Sequence, residues 1–386
     1  MRFRYGRADG SGADRVAATD ASGDAVLTML APETAYDWAE ESGSRSGSFT
    51  TGALPFDLGA RLTVTGTAST PYIGGNFPCG AGARAAAFDT ETGELVWYAD
   101  LQAEGVIDAN QMVSFTEDHT ALAITGDQLV EVDQSGVERL RLVAGRDYVY
   151  NLHHDVTKVD GRIYAVYSQS VDAGSVDGFV VWDDRGTELG HWFAGDHLDV
   201  PHPLSSDWLH LNSVAVRDGL AYLSSWQEST VFAVDADPDA DADPSWYLSG
   251  QDGGGLGSDF ALDWGGVAPD SFVHQHSLSI SADGGLTLLD NEHGRALTLT
   301  LDPDAHVGTV DGAWAASLPS CGPQGTAMRT AAGGVLVDCA SPELSVREFG
   351  PESSTVPSWT ATLSCDAPAQ VGWAGQVQRW YPLDGW

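Results

Sequence analysis

An acidic residue that ends one β-strand and leads into another recurs six times along the chain, 44 to 67 residues apart. Each copy is followed about ten residues later by a second strand that often carries a tryptophan. The anchors are Asp89, Asp133, Asp183, Asp235, Asp302 and a degenerate copy near Glu348. Four short strands in roughly 45 residues make one blade of a β-propeller. The repeat therefore predicts an all-β fold with a six-bladed β-propeller over residues 56–386.

The local pattern supports strands over helices throughout this region. Alternating segments such as Gly161–Tyr167 are bounded every ten residues or so by Gly, Asp or Pro, which is typical of all-β chains. The first copy lacks one or two inner strands, and the segment Gly375–Trp380 is expected to supply one and close the ring. A set of stacked sandwiches is the alternative architecture.

The first 55 residues do not share the repeat. Leu30–Trp38 carries a Leu-x-Pro-x-Thr-x-Tyr corner, and Ser48–Gly52 follows it. Together they resemble the second half of a fibronectin type III sandwich, although only about five strands fit where seven are usual. We expect a partial fibronectin type III-like β-sandwich over residues 1–55, with room for a signal sequence removed upstream.

The charge balance excludes several classes of partner. The 386 residues carry 55 Asp plus Glu against 18 Lys plus Arg, a formal net charge of -37. Such a surface repels nucleic acids and anionic lipid. No run approaches the 18 consecutive apolar residues of a membrane span, and Met1–Asp20 lacks the apolar core of a signal peptide.

Cysteine usage suggests the compartment. The four cysteines show no Cys-x-x-Cys spacing, which disfavours a structural zinc site. They are Cys79, Cys321, Cys339 and Cys365. Two disulfides, with three possible pairings, suit an exported protein, and four reduced core cysteines are the alternative. We therefore expect a secreted or periplasmic protein, whereas the sequence makes no prediction of its oligomeric state.

Histidines mark the expected functional site. Five of the eleven fall immediately before the predicted innermost strands of blades three, four and five, which places them around one end of the central channel. They are His153, His154, His210, His274 and His276. Clustered imidazoles act as nucleophile, general acid or base, or metal ligand, and spacing alone does not choose among these roles.

Five short motifs around these histidines resemble the arylsulfotransferases, the bacterial aryl-sulfate sulfotransferases, in the order found in that family. The motifs are Asn-Leu-His-His-Asp-Val (151–156), Asp-Trp-Leu-His-Leu-Asn-Ser-Val (207–214), Leu-Ser-Ser (223–225), Gln-His (275–276) and Leu-Leu-Asp-Asn (288–291). The resemblance covers roughly residues 60–380. It implies a six-bladed propeller with an N-terminal β-sandwich.

The resemblance also implies a reaction. Arylsulfotransferases move a sulfuryl group from an aryl sulfate to a phenol through a sulfohistidine, without a nucleotide donor or any cofactor. Carried over by motif, His276 is the expected nucleophile and His210 the acid and base on the phenolic oxygens. His154 and Asn212 are expected to hold the sulfuryl oxygens. A small aromatic molecule is the expected partner.

Other residues are expected beside the substrate. Trp208 and Trp226 are candidate walls for an aromatic ring, although propeller tryptophans more often belong to the core, and His153 and His274 lie next to the motif histidines. The family usually has Arg after its Ser-Ser pair, where this chain has Trp226. Because that change removes a charge-assisted grip on an anion, Arg295 is considered as a substitute.

Two other functions stay open. One is a metal-dependent enzyme, in which His154, His210 and His276 bind a transition metal such as zinc, copper or iron. The other is a non-catalytic propeller that binds a glycan or protein at the channel mouth.

The Asp-rich stretch 234–243 is interpreted as a solvated loop because it lacks the turn glycine and closing Glu of an EF-hand. The glycines at 253–255 follow no βαβ unit, so they do not predict a dinucleotide site.

Overall fold

The fold is nearly all β. The computed structural model describes residues 1–55, 60–76, 84–101, 111–171, 174–201, 207–240, 242–251, 255–315, 325–339, 345–365 and 380–383. Of Gln111, Cys339, Cys365 and Trp380 it describes only the backbone. Across these ranges the helical elements are a short α1 (Ala194–His197) and a 3-10 turn at Pro238–Ala240. None of the helices found there is long and apolar enough to span a bilayer.

Residues 1–55 form one four-stranded antiparallel sheet. Its strands, in the order β2-β1-β3-β4, are β1 (Arg2–Arg7), β2 (Arg15–Ala18), β3 (Ala35–Glu40) and β4 (Ser46–Thr50). The buried Tyr36 hydroxyl accepts a hydrogen bond of 2.8 Å from the Ala31 backbone N–H, which is the kind of bond made by the tyrosine corner of such sandwiches. The single sheet has four strands where about five were expected, and the fibronectin type III-like sandwich stays a prediction.

Six further sheets form the propeller, which confirms the predicted fold class. Blades 2, 3 and 4 are four-stranded antiparallel sheets with strands in chain order. Blade 2 comprises β9 (Gln111–Phe115), β10 (Thr120–Thr125), β11 (Gln128–Asp133) and β12 (Glu138–Val143). Blade 3 comprises β13 (Asn151–Val159), β14 (Arg162–Val171), β15 (Gly174–Asp183) and β16 (Glu188–Phe193). Blade 4 comprises β17 (Leu211–Arg217), β18 (Leu220–Ser225), β19 (Thr230–Asp235) and β20 (Trp246–Ser249).

Blade 5 has a fifth strand on its outer edge. Its inner four strands are β22 (His276–Ile280), β23 (Leu286–Asp290), β24 (Arg295–Asp302) and β25 (Val307–Trp314). The extra strand β21 (Ala261–Asp263) pairs in parallel with β25. The chain from blade 4 therefore crosses the outside of blade 5 before it enters the ring at β22.

Both ends of the propeller chain take part in closing the ring. Blade 6 comprises β26 (Thr326–Arg329), β27 (Val335–Cys339), β28 (Ser345–Phe349) and β29 (Trp359–Cys365), and β5 (Ala60–Gly66) adds its outer edge. Blade 1 comprises β6 (Tyr72–Asn76), β7 (Arg84–Asp89) and β8 (Leu95–Asp100), and β30 (Trp380–Pro382) is its innermost strand. The predicted closure by the C-terminal segment is thus seen at residues 380–382, and residues 375–379 lie outside the described residues.

The core is divided among the contacts between blades. Six clusters of buried apolar residues each combine side chains from two neighbouring blades, for example Phe179 with Phe232 between blades 3 and 4. Since about 25 cal/mol is gained per Å² of apolar surface buried, these contacts hold the blades together. Leu62 of β5 lies with Trp359 in the cluster between blades 6 and 1.

A channel runs along the axis of the ring. Its cavity has a volume of about 460 Å³ and is lined by residues from the innermost strands of all six blades. They include Ser114, Asp155, Val214, Ser277, Met328 and Tyr381. This part of the channel extends from the middle of the inner strands to their C-terminal ends, so the histidine groups lie at the other end.

Candidate active site

Three inner strands share one register, and hydrogen bonds between blades show it. The Asp155 Oδ2 atom accepts from the Val214 N–H at 2.8 Å, and Ser213 Oγ accepts from the Leu278 N–H at 3.1 Å. Ser277 Oγ accepts from the Ala327 N–H at 3.3 Å. The residue before each acceptor therefore occupies an equivalent place on blades 3, 4 and 5. These residues are His154, Asn212 and His276.

The structure places the histidine groups at the entrance to the inner strands, as expected, with one difference. His210 directly precedes β17, and His276 is the first residue of β22. His153 and His154 instead lie inside β13, where the pairing with β14 is interrupted between Leu152 and Val156. The interruption lets both side chains leave the regular alternation of the strand.

The backbone at the site is strained. His154, His210 and His274 have φ values of 56°, 50° and 55°, in the left-handed region that side chains other than Gly seldom occupy. Such strain costs on the order of 1 kcal/mol per residue and clusters at functional sites. Three histidines adopt this conformation at the same end of three successive blades.

A line of five side chains crosses from blade 3 to the loop before blade 4, and we call it the imidazole chain. In order, it comprises Asp177, His153, His154, His210 and Asp207. His153 Nε2 lies 3.4 Å from Asp177 Oδ1, and the two Nδ1 atoms of His153 and His154 lie 2.7 Å apart.

The second half of the imidazole chain joins the blades. His154 Nε2 lies 3.1 Å from His210 Nε2, and His210 Nδ1 forms a very short contact with Asp207 Oδ2. The hydrogen bond from His210 lowers the pKa of the Asp207 carboxyl below its usual value, against the opposing effect of burial. Asp207 is therefore an anion at neutral pH and keeps a proton on His210 Nδ1.

His276 is held in one tautomer. Its side chain is only 5% exposed, and its Nδ1 atom lies 3.0 Å from Asn291 Oδ1 and 3.3 Å from the His274 carbonyl oxygen. A carbonyl oxygen only accepts, so Nδ1 carries the proton and donates it. Nε2 of the neutral ring then carries the lone pair, which is the form a nucleophile needs.

Trp226 lies between two of the histidines. Its ring stacks on His274 with centroids 4.2 Å apart and an angle of 21° between the planes, and it lies 5.3 Å from the His210 ring. The indole Nε1 is buried and has no hydrogen-bond partner within the described part of the chain. An aromatic surface with an unused N–H therefore occupies the position after the Ser224-Ser225 pair.

Three other candidate residues, Trp208, Arg295 and Asn212, are buried and contact other parts of the protein. Trp208 is 5% exposed and packs in the apolar cluster between blades 3 and 4. The Arg295 guanidinium is fully buried, where it donates to Asp290 and to three backbone carbonyls. Asn212 is also buried, and its Nδ2 donates to the Gln275 carbonyl at 2.7 Å. This bond ties blade 4 to the backbone next to His276.

A metal site belonged to an alternative function, and disulfides were an expectation. Across the described ranges no group of three or more His, Cys, Asp or Glu side chains is placed to hold a metal ion. Of the cysteines, Cys79 and Cys321 lie outside the described residues, as do the side chains of Cys339 and Cys365. Disulfide pairing therefore stays a prediction.

Several site residues were given no role by the sequence. Asp207 and Asn291 lie within the quoted motifs, and an Asp three residues before a His is a local signal for such a pair. Asp177 has no local signal, because it comes from β15, 23 residues beyond His154 in sequence. The sequence also gave no structural role to Gln275. Its Nε2 donates to Ser224 Oγ and to the Ser225 and Thr230 carbonyls, which connects the segment before β22 to blade 4.

The family model described as arylsulfotransferase (ASST) matches residues 78–306 of the chain. That range spans the candidate histidines from His153 to His276 together with Asn291, so it contains the whole site described above. No curated protein is similar enough in sequence to be matched.

Several solved structures are similar to this chain at low sequence identity. A protein of unknown function from Bacteroides caccae has 12% identity and a TM-score of 0.48, covering 75% of this chain and 93% of its own. The periplasmic gluconolactonase of Pseudomonas aeruginosa has 13% identity and a TM-score of 0.41, with 98% and 99% coverage. Virginiamycin B lyase from Staphylococcus aureus has 9% identity and a TM-score of 0.41, with 79% and 99% coverage.

Proposed function

The chain belongs to the arylsulfotransferase family, and we propose that it transfers a sulfuryl group from an aryl sulfate to a phenol through a sulfohistidine on His276. The observation that carries this proposal is the tautomer of His276. With Nδ1 donating to Asn291 Oδ1 and the His274 carbonyl, the lone pair of the neutral ring lies on Nε2 without loss of a proton.

The first half of the reaction needs an acid at the leaving oxygen. The His276 Nε2 lone pair forms an N–S bond to the donor, the S–O bond breaks, and its electron pair leaves with the phenolic oxygen. The facing Nε2 atoms of His154 and His210 are suited to give that oxygen a proton, because they present imidazole nitrogens from two blades within 3.1 Å of each other.

The second half reverses the proton transfer. The acceptor phenol gives its proton to the same pair of imidazoles, its oxygen forms the new S–O bond, and the N–S bond to His276 breaks. The imidazole pair gives one proton to the leaving phenol and regains one from the acceptor phenol. Protons therefore balance over the whole cycle, and none of these steps uses a cofactor. Donors around the sulfuryl oxygens stabilise the transition state, and Asn212, whose amide donates to the Gln275 carbonyl next to His276, is the candidate for this role.

Trp226 changes how an anionic donor is held. A guanidinium at this position would provide a charge-assisted, forked hydrogen bond, whereas the indole carries no charge and its single N–H is buried. The stack on His274 places an aromatic wall where a phenolic ring can lie. We therefore propose weak binding of the sulfate group and stronger selection for the aromatic part of the substrate.

The second candidate is a non-catalytic propeller that binds a ligand at the channel mouth. Trp226 in place of the arginine favours this binding function, because an uncharged aromatic ring is suited to contact an uncharged ligand. The metal-dependent alternative requires His154, His210 and His276 on one ion. In the structure the first two already face each other, and His276 Nδ1 is used by Asn291.

The deciding experiment is turnover of a nitrophenyl sulfate with a phenol acceptor. Wild-type protein should release nitrophenol, and His276→Ala should reduce the rate to background. His197→Gln is the matched control, because that histidine stacks on Trp192 outside the site. Silence of the assay with an equivalent of bound metal would support the metal-dependent function, and silence without metal would support the binding protein.

The family gives a general indication of the cellular location of this protein. Arylsulfotransferases are generally secreted or periplasmic, and we propose that location for this protein. Fractionation of cells that express the full-length gene product, with a cytoplasmic marker enzyme as control, tests it.

A further inference from the structure

A buried ion pair holds the segment that precedes β22. Arg295 Nε donates to Asp290 Oδ2 at 3.0 Å, and the two side chains are 1% and 0% exposed. The other guanidinium nitrogens donate to three backbone carbonyls in the segment 268–271, at 2.6 to 2.9 Å. The guanidinium of Arg295 therefore neutralises the buried carboxylate and fixes this segment at the same time.

The Asp290 carboxylate uses both of its oxygens. Oδ1 accepts from the Val273 N–H at 3.2 Å. Oδ2 accepts from Arg295 Nε and lies 2.7 Å from His293 Nδ1. The Val273 carbonyl in turn accepts from the Glu292 N–H at 3.4 Å. Val273 is therefore bound on both sides by residues at or next to the turn that joins β23 to β24.

The residues that follow this contact present the two acceptors of the proposed nucleophile. His276 Nδ1 lies 3.3 Å from the His274 carbonyl oxygen, and His274 follows Val273 in sequence. The same nitrogen lies 3.0 Å from Asn291 Oδ1, and Asn291 follows Asp290. The hydrogen bond between Val273 and Asp290 therefore ties together the two segments that accept from Nδ1. Because hydrogen bonds weaken steeply as their geometry degrades, the tautomer of the ring depends on this tie.

We infer that Asp290, neutralised by Arg295, is a positioning residue that keeps the proton of His276 on Nδ1. The inference rests on the proposed function, in which the lone pair on Nε2 attacks sulfur. It gives Arg295 a different role from the sulfate ligand considered from the sequence. Since its side chain is 1% exposed, Arg295 acts through Asp290 and the segment 268–271, without contact with the substrate.

The position needs a carboxylate, because donors face both of its oxygens. An amide of the same shape has one accepting oxygen and one donating NH2 group. In Asp290→Asn the oxygen should face Arg295 and His293, since a hydrogen bond from a charged donor is the stronger one. The NH2 group then faces the Val273 N–H, and two donors repel each other. The variant therefore breaks the tie to Val273 but keeps the size of the side chain and an acceptor for Arg295.

The test is the ring tautomer of His276 in the full chain labelled with ¹⁵N-histidine. Long-range ¹H–¹⁵N spectra at about pH 8 distinguish protonated from unprotonated ring nitrogens, and the spectrum of His276→Ala assigns the signals. We expect one form with the proton on Nδ1 in the wild type and a mixture of both tautomers in Asp290→Asn. With an aryl sulfate donor, kcat should fall about a hundredfold, and KM should change by less than about threefold.

Glu348→Gln is the matched control. Glu348 is a buried carboxylate of blade 6, and both of its oxygens lie within 3.2 Å of the Ser69 N–H, which donates to them. This variant also replaces a carboxylate that binds a backbone N–H, so it reports the general cost of such a change. It should leave the His276 tautomer and kcat as they are in the wild type. If Asp290→Asn changes the tautomer no more than this control, the inference is wrong.

A double variant covers the case in which Asp290→Asn does not fold. Asp290→Leu with Arg295→Met removes both charges of the pair together, so no buried charge is left without a partner. It also removes the acceptor for the Val273 N–H and should give the same mixture of tautomers. A single Nδ1-protonated form of His276 in the folded double variant would overturn the inference.

The tautomer measurement needs no substrate, so it separates this inference from the proposed function. A mixture of tautomers in Asp290→Asn, in a protein that shows no sulfotransferase activity, would support the positioning role and refute the function. Turnover by the wild type, with an unchanged tautomer and unchanged kcat in Asp290→Asn, would refute the positioning role alone.

Discussion

His154 and His210 meet across the boundary between blades 3 and 4, with their Nε2 atoms 3.1 Å apart. The two residues are 56 positions apart in sequence, and the packing of blade 3 against blade 4 brings them together. Their outer nitrogens are engaged by His153 and Asp207, which leaves the facing Nε2 atoms as the place where a phenolic oxygen can bind. Several consequences can be measured.

His210→Gln should make the rate depend more strongly on the leaving phenol. The variant loses the acid that protonates the leaving oxygen, a contribution of about a hundredfold or more. Nitrophenyl sulfate, whose leaving group needs little help, should lose less than unsubstituted phenyl sulfate. A series of substituted phenyl sulfates measures the slope, and an unchanged slope would remove His210 from the acid role.

Asn291→Leu should lower kcat by about a hundredfold. The change removes the Oδ1 acceptor 3.0 Å from His276 Nδ1, so the ring is no longer held with its lone pair on Nε2. Asn291→Asp keeps an acceptor and should retain more activity. Steady-state kinetics, with circular dichroism to confirm folding, compares the two. Equal loss in both variants would contradict the tautomer argument.

Trp226→Arg should improve binding of the anionic donor. A hydrogen bond to a charged group is worth about 1.5–3 kcal/mol, so KM for the aryl sulfate should fall about tenfold or more. Trp226→Phe preserves an aromatic stack on His274 without the indole N–H and is the control. The expected pattern fails if both variants change KM for the sulfate donor equally.

Leu62→Ala should weaken closure of the ring. Leu62 of β5 is 1% exposed and packs with Trp359 between blades 6 and 1, and loss of such a side chain costs about 2–5 kcal/mol. Thr63→Ala, at an exposed position on the same strand, should change the free energy of unfolding by less than about 0.5 kcal/mol. Urea denaturation measures both, and similar values would show that β5 does not hold the ring.

Asp338→Asn should stabilise the protein increasingly as the pH rises. Asp338 is fully buried, and burial raises the pKa of its carboxyl well above the ordinary value. Neither oxygen has a hydrogen-bond partner among the residues the structure describes. Because the folded state binds the proton more tightly than the unfolded state, wild-type stability falls as pH rises above the unfolded pKa.

The amide has no proton to lose, so the Tm advantage of Asp338→Asn should grow between about pH 4 and pH 7. We expect it to reach about 2 °C or more at neutral pH. Calorimetry across this range checks the sign. A gap that narrows with increasing pH would mean that the carboxyl is ionised and stabilised in the fold.

Much of the architecture could be predicted from local patterns. The acidic anchors from Asp89 to Asp302 and the tryptophans after them mark blades because strand, turn and strand are encoded within a few residues. The family motifs likewise named His154, His210 and His276 as candidates, and the structure brings the first two within 3.1 Å of each other. The N-terminal region was less predictable, because its corner around Tyr36 is local but the number of strands that pair with it is not.

The sequence by itself determined the blade repeat, the family and the set of histidines, since each depends on residues close together in the chain. Only the tertiary structure decided how those side chains are paired. Asp177 reaches His153 from another strand, and Trp226 stacks on His274 from the next blade. Such contacts arise where ring closure and blade packing bring distant segments within a few ångströms, and no local pattern encodes that distance.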